Sequence, residues 1–211
     1  VLIIGIDEAG YGAIAGPLVV AATAYEKDED QPFRTVGRQT LWVQDSKKVR
    51  AEFFPHLDAC VRDSAQAYEI HEFTPQEVDR VGGPYEAKVK GLALVARRMV
   101  ERLHVSNSET REASIIVDGH IELDLPLPYQ AIPKADQLIW QVGAASILAK
   151  YRQLLAMEEA HENYSRYAFK HNKGYPTPDH LERLKKYGPC RHHRRSTRAL
   201  TPWCKKPKGR E

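Results

Sequence analysis

Four carboxylates in this chain stand where an apolar run gives out. Asp7 and Glu8 close the run VLIIGI and are followed at once by a glycine-containing turn, AGYGAIAG. Asp118 ends a second run, ASIIV, and Asp136 closes KAD, just after a short strand candidate. Ligand sites in α/β sheets lie beyond strand ends, so neighbouring strands would bring these acids to one edge. Crowded carboxylates repel one another unless protonated or bridged by cations. Hard divalent ions such as Mg²⁺ or Mn²⁺ take oxygen ligands. Two of them about 4 Å apart activate water and stabilise a leaving oxygen in phosphodiester cleavage. Any one Asp at a strand end is more often a cap or a turn residue, as Asp118-Gly119 would be alone; the set of four favours a metal site. Side chains alternate along a strand, so Asp7 and Glu8 would both reach one cluster only if the strand ends there, which Gly10 and Gly12 permit.

The elements that must position these acids follow from periodicity. Val1 to Asp7 reads as a central strand. Ala15 to Tyr25 reads as a second, paired antiparallel to the first after a short turn. Lys27 to Gln39 is polar and reads as loop. Arg50 to Arg62 has helical spacing, and Ser64 to Phe73 reads as a strand. Thr74 is a candidate N-cap for a short helix starting at Pro75, broken by Gly82-Gly83-Pro84. Tyr85 to His104 is helical, Ala113 to Asp118 a strand and Tyr129 to Ile132 a short strand. Gln137 to Met157 reads as one long helix, and Pro178 to Tyr187 as a short one capped by Thr177. Strands followed by alternating strands and helices imply an α/β protein with a mixed sheet.

Charge is divided unevenly along the 211 residues, whose net charge is +3. Ser165 to Glu211 carries 14 Lys/Arg against 3 Asp/Glu, and the rest of the chain 17 against 25. Tyr167, Phe169, Tyr175 and Trp203 are interleaved with the basic residues. That is the footprint of a protein that binds a nucleic-acid backbone, the plain alternative being a solvated basic tail. No apolar run approaches the roughly 20 residues that span a bilayer, so no membrane partner is expected. Three cysteines, without a CxxC spacing, point to a reducing, cytoplasmic setting. The opening has no basic leader and is not expected to be a signal peptide; a first residue Val1 suggests a trimmed start.

Six motifs in order resemble ribonuclease HII, the type 2 ribonuclease H family: GIDEAGYGAIAGPLVVAA, DSKKV (Asp45 to Val49), IIVDG, KAD, GAASILAK (Gly143 to Lys150) and HNKGYPTPDHLERLKKYGPCRHHRRS. The resemblance implies a ribonuclease H-like fold, a five-stranded mixed sheet flanked by helices with a C-terminal helical extension. It divides the chain into a catalytic part over 1–160, a basic substrate-binding extension of the same domain over 161–200 and a flexible basic tail over 201–211. It implies an endonuclease that cuts the RNA strand of RNA–DNA hybrids, and DNA duplexes at embedded ribonucleotides. Cleavage would lie 5′ to the ribonucleotide and leave a 3′-hydroxyl and a 5′-phosphate. The protein is expected to act as a monomer.

Carried over by motif, the residues holding two Mg²⁺ or Mn²⁺ ions are Asp7, Glu8, Asp118 and Asp136. The amides of the turn at Gly10 and Gly12 would contact the ribose 2′-hydroxyl, which is what distinguishes RNA from DNA. Tyr175 would stack on the neighbouring sugar. Ser46 and Lys47 fall in a segment close to substrate, Lys47 being either a phosphate contact or a surface lysine beside a helix start. Lys150, a turn beyond Ser146, approaches phosphate or has a structural role. Lys173, with His171, Arg194 and Arg195, is a candidate for backbone phosphates; His192 and His193 are expected to be solvated. Tyr11 stands where the family has arginine. A neutral phenol cannot fork onto a phosphate, so an altered junction preference, or weakened catalysis in a protein that still binds nucleic acid, are the alternatives to the full activity.

Overall fold

The computed structural model describes residues 1–104, 112–125 and 127–204. The strands are β1 (Leu2–Ala9), β2 (Leu18–Glu26), β3 (Phe33–Val36), β4 (Gln39–Trp42), β5 (Ala67–Phe73), β6 (Ala113–Asp118) and β7 (Tyr129–Ile132). The helices are α1 (Phe54–Ser64), α2 (Pro75–Arg80), α3 (Pro84–Leu103), α4 (Ala135–Leu138), α5 (Trp140–Asn163), α6 (Phe169–Asn172), α7 (Pro178–Tyr187) and α8 (Thr201–Cys204). Five strands form one sheet in the order β5-β2-β1-β6-β7. β1 runs antiparallel to β2 and parallel to β6, and β6 runs parallel to β7. The sheet is therefore mixed and flanked by helices, as expected. No helix among the described residues is long and apolar enough to cross a membrane.

The chain divides into two compact units. The first comprises Val1–Ala9, Val19–Glu72 and Lys88–Arg152. Its centre is β1, where Leu2, Ile4 and Ile6 are fully buried and Ile3 packs with Ile116, Ala135 and Val142. A strand buried on both faces needs a continuous apolar sequence, which VLIIGI supplies. The first turn of α5 lies directly on Gly5. A Cβ there would sit 2.6 Å from the carbonyl carbon of Gln141. Thr23, opposite Gly5 in the ladder, donates its hydroxyl to the Gln141 carbonyl (2.8 Å).

The second unit comprises Gly10–Leu18, Phe73–Ala87 and Gln153–Glu211. Ala15, Met157, Ala160, Tyr167 and Phe169 form one of its clusters, and Ile14, Leu184 and Leu200 another. Both expected N-caps are present here. Thr74 and Glu77 make a reciprocal capping box at α2, and the Thr177 hydroxyl accepts from the His180 amide at α7 (3.2 Å). The last residues of the expected tail, 205–211, lie outside the described residues.

Three expectations are corrected. The polar stretch read as loop contains β3 and one end of β4, a hairpin closed by Gly37 at positive φ and by the cross-strand pair Phe33 and Trp42, whose rings are 4.9 Å apart. A two-residue Gly-Arg connection between short runs is a hairpin signal, masked by the polarity of the strands. The second strand begins at Leu18 and not at Ala15, because Gly16 turns at φ +83° and Pro17 has no amide to give a ladder. The long helix is two: Ile139 adopts an extended conformation (φ −129°, ψ 105°) between α4 and α5, with its side chain against the Ile3 and Ile116 cluster.

Gly5→Ala is predicted to lower unfolding free energy by about 2 kcal/mol or more, because the new methyl meets backbone and not a movable side chain; urea denaturation measures it.

Candidate active site

Asp7 and Glu8 stand where β1 loses one neighbour and keeps the other. Pairing with β6 stops at Ile6 and Val117, whereas pairing with β2 continues through Glu8 opposite Val20 and Ala9 opposite Val19. The strand does not end at the acids, as the alternation argument required; it is freed on its β6 side only. Asp118 follows Val117 at the same place, and its Oδ1 accepts from the Ala135 amide at the start of α4 (2.8 Å). Asp136 is the next residue of that first turn and is 2 % exposed.

The acids are buried close enough to repel. Burial raises the Asp7 pKa well above the usual carboxylate range, and the charges of Glu8 and Asp118 push it further, against a lowering contact from Ser146. Burial also raises Glu8, opposed by Lys88 and reinforced by Asp118. Asp118 is raised by burial and by Asp136. Two ammonium groups answer this charge. Lys88 Nζ donates to Glu8 Oε1 (2.8 Å) from α3, and Lys47 Nζ donates to Asp136 Oδ2 (2.7 Å). Burial tends to lower Lys47, but Asp136, with Asp45 and Asp7, leaves its pKa raised. Four carboxylates and two ammonium groups still leave two formal negative charges.

Two carboxylate oxygens of the cluster have no donor. Glu8 Oε2 and Asp136 Oδ1 are buried and accept no hydrogen bond. Buried carboxylate oxygens without donors are costly unless a proton or cation meets them. Among the described residues, no three Asp, Glu, His or Cys side chains close into a ready coordination shell. The donor set and its two orphaned oxygens nevertheless suit hard divalent ions, with Asp7, Glu8, Asp118 and Asp136 as holders.

The other predicted residues fall around this cluster or in the second unit. Asp45 caps the short 3₁₀ turn Ser46–Lys48 by accepting from the Lys47 amide, which sets Lys47 toward Asp136. Ser46 is buried and its hydroxyl bonds Ser146 (2.8 Å), the residue that touches Asp7. Lys150 is half-buried on α5, a turn beyond Ser146. Lys88 was invisible to motif reading, yet a signal existed: it extends the stripe Leu92, Val95, Ala96 and Met99, all fully buried, so its ammonium had to meet a buried acid.

In the second unit, Gly10 turns at φ +83°, where a Cβ would lie 2.6 Å from the Pro17 carbonyl, so protein packing alone requires glycine. Gly12 differs. It is exposed, and a Cβ there would meet only Tyr175 at an ordinary 3.8 Å. Tyr11 is 43 % exposed and Tyr175 half-buried. Lys173 ends α6 in the left-handed conformation and accepts through its carbonyl from Gln153 (2.8 Å). Arg194, a candidate phosphate contact, is fully buried, with its donors on carbonyls of the Gly10–Gly16 turn. His193, expected solvated, is buried beside His180 with its pKa pushed down to about 4 by burial and by His180.

The ribonuclease HII family profile matches residues 4–205. A curated ribonuclease HII of Pelodictyon phaeoclathratiforme is 34 % identical over 199 residues, covering 93 % of this chain and 89 % of that one. The chain belongs to the ribonuclease HII family. Its fold agrees with that of Pyrococcus horikoshii ribonuclease H2 (TM-score 0.72, 21 % identity, 97 % of both chains). A Bst ribonuclease HIII structure in complex with Mn²⁺ is similar over 95 % of this chain and 68 % of that one (TM-score 0.61, 19 % identity). The five-stranded mixed sheet with flanking helices is thus a ribonuclease H-like fold, as the six motifs implied. In this ribonuclease HII family member Asp7 and Glu8 lie on β1 past its pairing with β6, Asp118 ends β6, and Asp136 lies in the first turn of α4.

Two outcomes follow. Asp7→Asn removes a charge from a repelling buried cluster and is predicted to stabilise the metal-free protein at neutral pH by about 1 kcal/mol, read by urea denaturation. His193 is depressed from 6.5 to about 4 in the folded state. Its contribution is therefore full above pH 6.5 and lost as pH falls toward 4, where the unfolded chain binds the extra proton. His193→Gln is predicted to flatten the fall of unfolding free energy across that window.

Proposed function

We propose that this ribonuclease HII family member cleaves the RNA strand of RNA–DNA hybrids and also cuts duplex DNA 5′ to an embedded ribonucleotide, leaving a 3′-hydroxyl and a 5′-phosphate. The observation that carries the reading is the negative cluster of Asp7, Glu8, Asp118 and Asp136 with its two undonated buried oxygens. Two Mg²⁺ or Mn²⁺ ions bound by these acids would supply Lewis acidity and an activated water.

The chain's own residues do the rest. Lys88 holds Glu8 in place from a buried position, its side chain 15 % exposed. Lys47 is different: its side chain is 68 % exposed, so it is able to exchange Asp136 for a substrate phosphate. In the second unit, the bare backbone of Gly12 admits a ribose, since protein packing leaves room there for a side chain that the sequence does not use. Tyr175 offers a ring to the adjoining sugar. The basic residues of α6, α7 and the segment after them neutralise backbone phosphates. Tyr11, exposed and neutral, supports a second reading in which long hybrids are preferred over single ribonucleotides, because the turn lacks a charged grip on the strand near the junction.

The test is cleavage of two substrates, a DNA duplex with one ribonucleotide and a long RNA–DNA hybrid, with Mg²⁺ or Mn²⁺. At least one is expected to be cut, and Asp7→Asn or Asp118→Asn to abolish it; no cutting of either by the unaltered protein contradicts the reading. Gly12→Ala is expected to keep its melting temperature while losing cleavage at single ribonucleotides. Tyr11→Arg is expected to raise the ratio of single-ribonucleotide to hybrid cleavage, and an unchanged ratio excludes the second reading.

A further inference from the structure

Arg194 is a buried cation with no carboxylate partner among the described residues. Its Nε donates to the Gly16 carbonyl (2.8 Å), and its Nη1 to the carbonyls of Gly10 (2.7 Å), Ala13 (3.1 Å) and Tyr11 (3.4 Å). Nη2 is buried without any hydrogen bond. Burial lowers its pKa to about 10, leaving it charged at neutral pH. Asp79, the nearby acid, is engaged by the amides of Arg195 and Ser196 and by the Ser196 hydroxyl. An unpaired buried charge is expensive, and here it is spent on one object, the turn from Gly10 to Gly16.

The consequence is geometric. No cis peptide bond occurs among the described residues, and across a trans peptide the C=O and N–H point in opposite directions. With the Gly10 and Tyr11 carbonyls directed at the guanidinium, the amides of Tyr11 and Gly12 point away from it. The Gly12 amide has no backbone acceptor among the described residues. A cation on the carbonyl side also polarises both peptides, which strengthens their N–H groups as donors.

The residue before Arg194, His193, is linked through His180 to Tyr175. The Cys190 amide donates to His193 Nδ1 (3.1 Å), which makes Nε2 the protonated nitrogen of His193. That Nε2 faces His180 Nε2 (3.2 Å), and His180 Nδ1 in turn donates to the Tyr175 carbonyl (2.8 Å). The segment His192–Arg194 is fixed to the turn by Gly16 N to His192 O and Arg194 N to Ile14 O, both 2.8 Å, and by the bridge of Ala15 with His193.

We propose that Arg194 is a positioning residue for ribonucleotide recognition: it draws the turn carbonyls inward so that the Tyr11 and Gly12 amides face a 2′-hydroxyl, while His193, through His180, fixes Tyr175. This rests on the proposed function for what the turn binds. Lysine keeps the charge at position 194 but cannot span carbonyls that a rigid fork reaches; glutamine removes the charge as well.

The test is anisotropy binding in EDTA, where no cleavage occurs, to a duplex with one ribonucleotide and to the same sequence in all-DNA form. The unaltered protein is expected to prefer the first. Arg194→Lys and Arg194→Gln are expected to lose about tenfold of that preference, the worth of about one well-aligned hydrogen bond, with all-DNA affinity held. Folded variants that keep the original ratio overturn the proposal. If neither variant folds, the Gly12 amide resonance of the unaltered protein decides. A shift with the ribonucleotide duplex and none with all-DNA supports the proposal, and no shift or equal shifts overturn it. Absence of cleavage with Mg²⁺ or Mn²⁺ while the binding preference persists would sink the enzymatic reading and leave this one standing.

Discussion

The repulsion among four buried carboxylates is the constraint on which the first unit depends. A chain gains nothing in stability by packing Asp7, Glu8, Asp118 and Asp136 at one end of a sheet, where burial and mutual charge raise the pKa of three of them. Lys47 and Lys88 offset part of the cost from two different elements, and the apolar remainder of β1 supplies the stability that the acids take away. Local rules fail where residues serve a ligand and not the fold, which is the role proposed for these four acids.

The second unit shows the same logic with the sign reversed. A guanidinium without a carboxylate lies under a turn of carbonyls, and the histidine beside it is held neutral against a second histidine. The cation isolated in the second unit leaves its Nη2 without an acceptor, just as the crowded acids of the first leave two oxygens without a donor. Tyr11 matters because it is the exposed neutral residue between two peptides that Arg194 orients.

Much of this was legible in the chain itself. The apolar runs that end in Asp7 and Asp118, the caps Thr74 and Thr177, and the order of six motifs led to the sheet, to helix starts and to the family. What periodicity missed depended on contacts distant in sequence. The hairpin around Gly37 is held by an aromatic pair across polar strands, and the break at Ile139 by packing against Ile3 and Ile116. Lys88 was hidden by its type, since a lysine in a helical stripe reads as a surface residue until its acid is known. Arg194 and His193 were hidden by their neighbours: in RHHRRS the histidines read as solvated and Arg194 and Arg195 as phosphate contacts, and only the fold shows that His193 and Arg194 turn inward.

The central claim, that the four carboxylates hold divalent ions, is tested most directly by titrating the protein with Mn²⁺ and counting free ion by electron paramagnetic resonance. Saturable binding is predicted for the unaltered protein, weakened by Asp136→Asn and lost in the Asp7→Asn, Asp118→Asn double variant. Binding that is absent in the unaltered protein, or undiminished in the double variant, would contradict the account.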